Sequence, residues 1–370
     1  MKSVPGWIPA AALALTVSLG TAVAFAQAAP PNPAQQAPAA TSSTAAASSL
    51  APNMVTPTAP TAPVDPLPPA NPKAFTAASP TLDTVSAFLN QLWGFDPKRV
   101  WRVMGIQPTP AEGVSEVVVF VTSTDPNSQI QSVTFYVLPD GKHAIGEGAG
   151  VLTFGATPFA ETRALLQARA NGAFRGATSK DLELVEFTDL QCPHCKEAEP
   201  TMNQLVKDFP AARVVVQLLP LTEIHPSAFK AAAYGVCAQM QSNDAYFRYA
   251  AGVFDTQEAL APATEDTLLR AAAKRAGLDG DAIASCAKTQ AAEAIVEADI
   301  KLADEAGVRN TTPTLAVNGR LLPLGIPYDT LKQVIVYQAK LDGVATGASA
   351  DILAPAPPPP ATAAPNSPPK

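Results

Sequence analysis

The chain has 370 residues, room for two domains of ordinary size, but 21 of its 38 prolines fall in residues 27–80 (13) and 351–370 (8). About 260 residues are therefore left to build cores, because stretches this poor in apolar surface cannot offset the entropy of ordering them. The net charge of −7 with no Lys/Arg block excludes nucleic-acid binding by counterion release, three histidines exclude a histidine-rich metal site, and four cysteines are too few for a disulfide scaffold.

The N-terminus reads as an export signal over residues 1–26: Lys2, an apolar run from Trp7 to Phe25, and small residues at Ala24, Ala26 and Ala28 suited to cleavage. The run is also just long enough to serve as a retained membrane anchor. Both readings put the rest of the chain in a periplasmic or otherwise extracytoplasmic compartment, soluble or N-terminally anchored, where disulfides persist. Residues 27–80 read as a disordered Ala/Pro-rich linker.

A small α+β domain is expected over residues 81–173. Val85, Phe88, Leu89, Leu92 and Trp93 share one face of a helix. Strands are predicted at 100–106, 117–122 and 133–138, and Pro139-Asp140-Gly141 turns into a further short strand. A helix follows from about Phe159 to Ala170. This domain has no cysteine, and His143 beside the turn reads as a solvated residue.

The second domain is expected over residues 174–343, in the order β-α-β, a helical block over about 226–306, then β-β-α. That order makes an α/β fold with a mixed central sheet. Strands are predicted at 182–187, 213–219, 314–317 and 320–324, with Asn318-Gly319 a strong hairpin signal between the last two. Residues 344–370, with Pro357 to Pro360 in a row, read as a disordered Pro-rich tail.

Cys192-Pro193-His194-Cys195 follows the first strand of this domain and opens a helix. Pro193 suits the first helical turn, which places Cys192 at the helix N-terminus and Cys195 one turn further in. The free N–H groups and positive end of the helix favour a thiolate at Cys192, and a protonated His194 adds positive charge. Stabilising the reduced, anionic form makes the disulfide easier to pass on. The spacing alone also admits half a zinc site or an ordinary bridge. The further ligands a zinc site needs would come from Cys237, Cys286 and His225, which form no second close pair. The strand–CxxC–helix context favours the redox dithiol.

The run Val185-Glu186-Phe187-Thr188-Asp189-Leu190-Gln191-Cys192-Pro193-His194-Cys195 resembles the active-site region of DsbA-family thiol:disulfide oxidoreductases. The resemblance implies a thioredoxin-like fold with an inserted helical subdomain, preceded here by the small α+β domain and flanked by the disordered segments. It implies that Thr311-Thr312-Pro313-Thr314 is the loop facing the CxxC, with Pro313 cis and Thr312 beside the substrate groove. It implies a buried carboxyl under the site at Glu186, which relays the proton of Cys195; Leu182, Leu184 and Glu186 would share one strand face. Cys237 and Cys286 read as a structural disulfide within the insertion, as a second redox pair, or as two buried thiols; the resemblance favours the disulfide. His225 reads as a cap or turn residue, and Pro200 as a kink in the active-site helix.

The function so implied is an exported oxidoreductase exchanging disulfides with cysteine-containing client proteins, with no cofactor and no metal, recycled by a membrane redox partner. The Pro-His dipeptide resembles oxidase members. Residues 135–143 and Thr312 resemble DsbC-type isomerases, whose dimeric form would imply a homodimer through 81–173. The competing class is a non-enzymatic peptide-binding holdase.

Overall fold

The computed structural model describes residues 66–146 and 150–353. The export-signal reading, most of the linker and the Pro357–Pro360 run lie outside the described residues.

The first domain is an antiparallel meander covered by one helix. Thr81 caps helix α1 (Leu82–Trp93) through its hydroxyl, which accepts from Thr84 N at 3.2 Å. Strands β1 (Arg99–Pro108), β2 (Ser115–Ser123), β3 (Gln131–Val137), β4 (His143–Gly146) and β5 (Gly150–Thr153) follow and pair in chain order. Val85, Phe88 and Leu89 on α1 bury against Val103, Val117, Val119 and Phe135 on the sheet. Burying each such side chain stabilises by roughly 1.5–3 kcal/mol. Strand β5 escaped the sequence reading because it is only four residues long and outwardly apolar at Val151.

Helix α2 (Ala160–Arg169) leads to the second domain, whose sheet has the order β10-β9-β7-β8-β6. It comprises β6 (Phe174–Gly176), β7 (Leu182–Thr188), β8 (Ala212–Leu218), β9 (Thr314–Val317) and β10 (Arg320–Pro323). Strands β7 and β8 are parallel, joined by helix α3 (Pro193–Asp208), and every residue of both is buried, as central strands with both faces covered require. Strand β9 pairs antiparallel with both β7 and β10. Asn318 and Gly319 take φ of 45° and 88°, the left-handed conformation a tight hairpin needs.

Between β8 and β9 sits the helical block: α4 (Ala228–Gln239), α5 (Asn243–Asp255), α6 (Glu265–Arg275), α7 (Gly280–Cys286) and α8 (Gln290–Glu305). Its core is built largely from alanines, with Tyr234 and Tyr249 fully buried among them. Cys237 on α4 and Cys286 at the end of α7 are joined by a disulfide. Helix α9 (Tyr328–Asp342) covers the sheet, packing Leu331 and Ile335 onto Leu315 and Val317.

Three expectations are corrected. The linker reading fails for residues 66–80: Leu67 is buried, Phe75 bridges Ile106, and Arg102 Nη1 donates to the carbonyls of Leu67 and Pro68 at 2.7 and 2.8 Å. The tail reading fails for residues 344–353, where Val344, Ala348 and Ile352 pack on the second core and helix α10 (Ala350–Leu353) forms. In both segments a few spaced apolar side chains find a ready surface, which composition alone does not reveal. The expected boundary at 173 also shifts. Leu166 and Ala170 of α2 bury against Val185, Phe187 and Val215, so α2 belongs to the second core.

The two domains meet at the C-terminal end of α1. Arg320 donates to the carbonyls of Gln91 (3.0 Å) and Leu92 (2.6 Å), and Tyr337 Oη donates to the carbonyl of Asn90 at 2.8 Å. The Gln91 and Leu92 carbonyls are ones a helix end leaves unpaired, while Asn90 also accepts from Gly94 N at 2.9 Å.

Candidate active site

The site forms where the parallel pair β7–α3–β8 ends. Cys192 is the N-cap of α3 with extended backbone (φ −79°, ψ 121°), and Pro193 takes the first helical position. The Cys192 carbonyl accepts from Cys195 N (3.1 Å) and Lys196 N (3.3 Å), so the CPHC run is the helix's opening turn. Cys192 is 5% exposed; Cys195, one turn inward, is fully buried. Both sulfurs are free thiols.

Across from them lies the loop before β9. The Thr312–Pro313 peptide is cis, and Cys192 Sγ sits 3.7 Å from the Thr312 carbonyl oxygen. The structure thus brings Cys192, Cys195, Thr312 and Pro313 together. His194 points outward, strongly exposed, with Nδ1 3.0 Å from Glu197 Oε2.

The two thiols are driven apart in acidity. Cys192 is lowered to about 5, first by the Cys195 thiol donating to it, then by Thr312 and by the amides of Cys195 and His194, against the opposing effect of burial. Cys195 is pushed up by burial and by the hydrogen bond it gives Cys192. The pKa of His194 is raised by Glu197 and, less, by Cys192. The same attraction between imidazolium and thiolate favours the Cys192 anion, beside the fixed donors that lower it most.

Glu186 on β7 is fully buried, and neither carboxylate oxygen has a hydrogen-bond partner. Burial, and then Glu199, raise it to about 8, while Arg175 and the Thr188 hydroxyl act the other way. The Thr188 hydroxyl also favours the thiolate of Cys195, and it is buried without a hydrogen-bond partner. Arg175 Nη2 lies 3.6 Å from Glu199 Oε2.

Sequence reasoning missed Asp189. It is buried, its N–H donates to Cys195 Sγ (3.3 Å), and its carboxylate accepts from Gln191 N (2.7 Å), Leu221 N (2.9 Å) and His225 Nδ1 (2.7 Å). His225 is thus neither free nor catalytic in position; it braces the loop before Cys192. An aspartate two residues before the next turn amide is the Asx-turn signal that could have found it. Two glutamines, Gln191 and Gln257, were also missed. Cys237 and Cys286 are bonded to each other and His225 is engaged by Asp189, so the further ligands a zinc reading needs are taken.

Residues 169–336 match the family model described as Thioredoxin. This segment is similar to thioredoxin and has a thioredoxin-like fold. The Na(+)/H(+) antiporter NhaA 3 of Salinispora tropica is 34% identical over 146 residues, 40% of this chain and 21% of the relative. NhaA 1 of Salinispora arenicola matches with the same identity and coverage. The chain therefore spans about a fifth of the length of these relatives, and among its described residues no helix is long and apolar enough to cross a membrane. Solved structures similar to it include the catalytic domain of Proteus mirabilis ScsC (22% identity, 48% of this chain and 98% of that one, TM-score 0.40). Oxidised BdbD from Bacillus subtilis is another (21% identity, 46% and 93%, TM-score 0.40).

Proposed function

We propose that this chain is an extracytoplasmic thiol–disulfide oxidoreductase acting on cysteine-containing client proteins, with Cys192 as the attacking and leaving sulfur and Cys195 as its buried partner. The observation that carries the reading is the split acidity of two thiols one helical turn apart, facing Thr312-Pro313. A low-pKa thiolate is the better leaving group and the more stable product of reduction.

The oxidase direction follows from that poise. With Cys192 and Cys195 disulfide-bonded, a client thiolate attacks Cys192 Sγ, and the S–S electron pair departs on Cys195, which takes a proton. A second client thiolate then attacks the client sulfur in the mixed disulfide, and the pair departs on Cys192. Two electrons pass from client to chain, and the client gains one disulfide. Glu186, neutral near pH 7 and fully buried on β7, supplies the proton that Cys195 needs. The loop at Thr312-Pro313 holds an extended client segment. A membrane redox partner reoxidises the dithiol. The Cys237–Cys286 disulfide supports an oxidising compartment.

One observation favours the second reading, a dimeric isomerase or reductase. Tyr136, Ile145 and Val151 stand in register on β3, β4 and β5, each at least 40% exposed, an apolar row on the first domain through which residues 81–173 would pair.

Alkylation of Cys192 as a function of pH tests the main reading, alongside oxidative refolding of a reduced client. Half-maximal thiolate near pH 5 and loss of refolding activity in Cys192→Ser are expected. Titration like an ordinary thiol, or a fully active Cys192→Ser, would overturn it. The mass in solution separates monomer from dimer.

A further inference from the structure

The CPHC loop is gripped from outside the sheet by a side chain with no part in the exchange steps. Gln257 stands in the short turn after α5, is 7% exposed, and aims its amide at the loop. Its Nε2 donates to the carbonyl of Leu190 at 3.0 Å and to the carbonyl of Cys192 at 2.9 Å. One NH2 group thus spends both protons on the two carbonyls that bracket Gln191. Gln191 returns the grip: its Nε2 donates to the carbonyl of Leu260 at 2.8 Å, and its Oε1 accepts from Ser227 N at 2.8 Å. Two glutamines therefore stitch the active-site loop to both the start of α4 and the turn after α5.

We infer that Gln257 is a positioning residue that locks the backbone of the Cys192 loop to the helical insertion, so that the insertion sets the reactivity of Cys192. This rests on the oxidoreductase reading. Two physical effects run in the same direction. The Cys192 carbonyl is the negative dipole nearest the sulfur along the chain, and two protein N–H groups already engage it from within α3. A third donor from the insertion further neutralises that dipole. It also fixes the peptide plane leading into Pro193, which has no N–H to do so, and hence the aim of the His194 and Cys195 amides at Sγ. A buried amide held by two bonds to loop carbonyls is expensive to leave unpaired, which keeps the grip closed.

The test compares the full chain with Gln257→Met, which keeps the length of the side chain and removes the donors. The thiolate of Cys192 is followed by its ultraviolet absorbance against pH, and the dithiol–disulfide equilibrium is set against glutathione. Tyr249→Phe is the control: it removes a buried hydrogen bond to the Ala231 carbonyl inside the insertion without touching the loop. Gln257→Met is expected to form about tenfold less thiolate at acidic pH, its titration moving up by about one pH unit. Its disulfide is expected to be several-fold less oxidising, with Tyr249→Phe at the wild-type values in both. A folded Gln257→Met indistinguishable from wild type, or a Tyr249→Phe that shifts equally, would overturn the inference. Should Gln257→Met not fold, Gln257→Glu carries the same expectation, since a carboxylate facing two carbonyls cannot grip them. An ordinary thiol at Cys192 in the unmodified chain would instead sink the oxidoreductase reading itself.

Discussion

Cys192 and Thr312 are 120 residues apart in the chain and 3.7 Å apart in space, sulfur to carbonyl oxygen. The Thr312 hydroxyl is buried with no hydrogen-bond partner. A lone buried hydroxyl costs about 1–3 kcal/mol unless something accepts from it. An ionised Cys192 would be an acceptor to relieve it, and Thr312 is one of the causes of the lowered Cys192 pKa.

Thr312→Val keeps the shape of the loop and removes that donor. The Cys192 pKa is expected to rise by about half a unit to one unit, a three- to tenfold loss of thiolate at a fixed acidic pH. Thiolate absorbance against pH checks it. An unchanged titration would mean that the hydroxyl does not face the sulfur when it ionises.

Cys195→Ser removes the thiol that closes the intramolecular disulfide, so a mixed disulfide between Cys192 and a client has no internal route to resolution. Such adducts are expected to accumulate in cells and to appear on non-reducing gels, disappearing with a reductant. The serine hydroxyl can still donate to Cys192, so the remaining thiol should stay acidic. A clean gel would remove the two-cysteine division of labour.

Glu186 gives a pH dependence of known sign. Its folded pKa is raised to about 8 from an ordinary 4.5. The stability it contributes is complete below pH 4.5 and is lost as the pH rises toward and through 8. Cys192 in the reduced chain runs the opposite way: lowered to about 5 from 9.0, its contribution is complete above pH 9 and lost as the pH falls through 5. Comparison of Glu186→Gln with wild type at each pH isolates the carboxyl. At pH 8 the variant is expected to be more stable by about 2 kcal/mol or more, since each tenfold change in proton affinity is worth about 1.4 kcal/mol, with no such gain at pH 4. Urea midpoints of the reduced proteins measure this. A gain of equal size at both pH values would point to packing instead.

Replacing both Cys237 and Cys286 by alanine opens a loop with a sequence separation of 49. In the chain-entropy model this costs roughly 4 kcal/mol. The loss is expected in the denaturation midpoint, while the Cys192 titration stays near wild type because the CPHC loop is held by other contacts. A stability change below about 1 kcal/mol would show that the alanine-rich helices pack as well without the bridge.

Much of this fold is local and therefore legible in the sequence. The α1 face at Val85, Phe88 and Leu89, the Asn318-Gly319 hairpin, and the placement of Cys192 ahead of a proline-started helix all follow from spacing and backbone preference over a few residues. What spacing could not show was which surface a segment lies on. Leu67 and Phe75 lie in a proline-rich run whose composition resembles a linker, yet β1 offers them cover. Helix α2 has the same pattern wherever it packs, and only the buried neighbours of Leu166 reveal its side. Asp189, Gln191 and Gln257 act through backbone groups of distant loops, and a backbone carbonyl leaves no trace in the identity of the residue that carries it.

The Arg320 guanidinium carries a mechanical implication. It ends the last turn of α1 from a strand of the other domain, and that strand, β10, is zipped to β9, which starts at Thr314 beside Pro313. Traction on the meander sheet is thereby delivered to the hairpin bordering the client loop, with a planar cation as the coupling pin on that strand and Tyr337 tying the same helix end to α9. Arg320→Met with Tyr337→Phe removes the three side-chain bonds at the end of α1, and heating is then expected to resolve two separate melting steps where one is expected for the intact chain. A partner that holds the meander would have a lever on the grip of the loop.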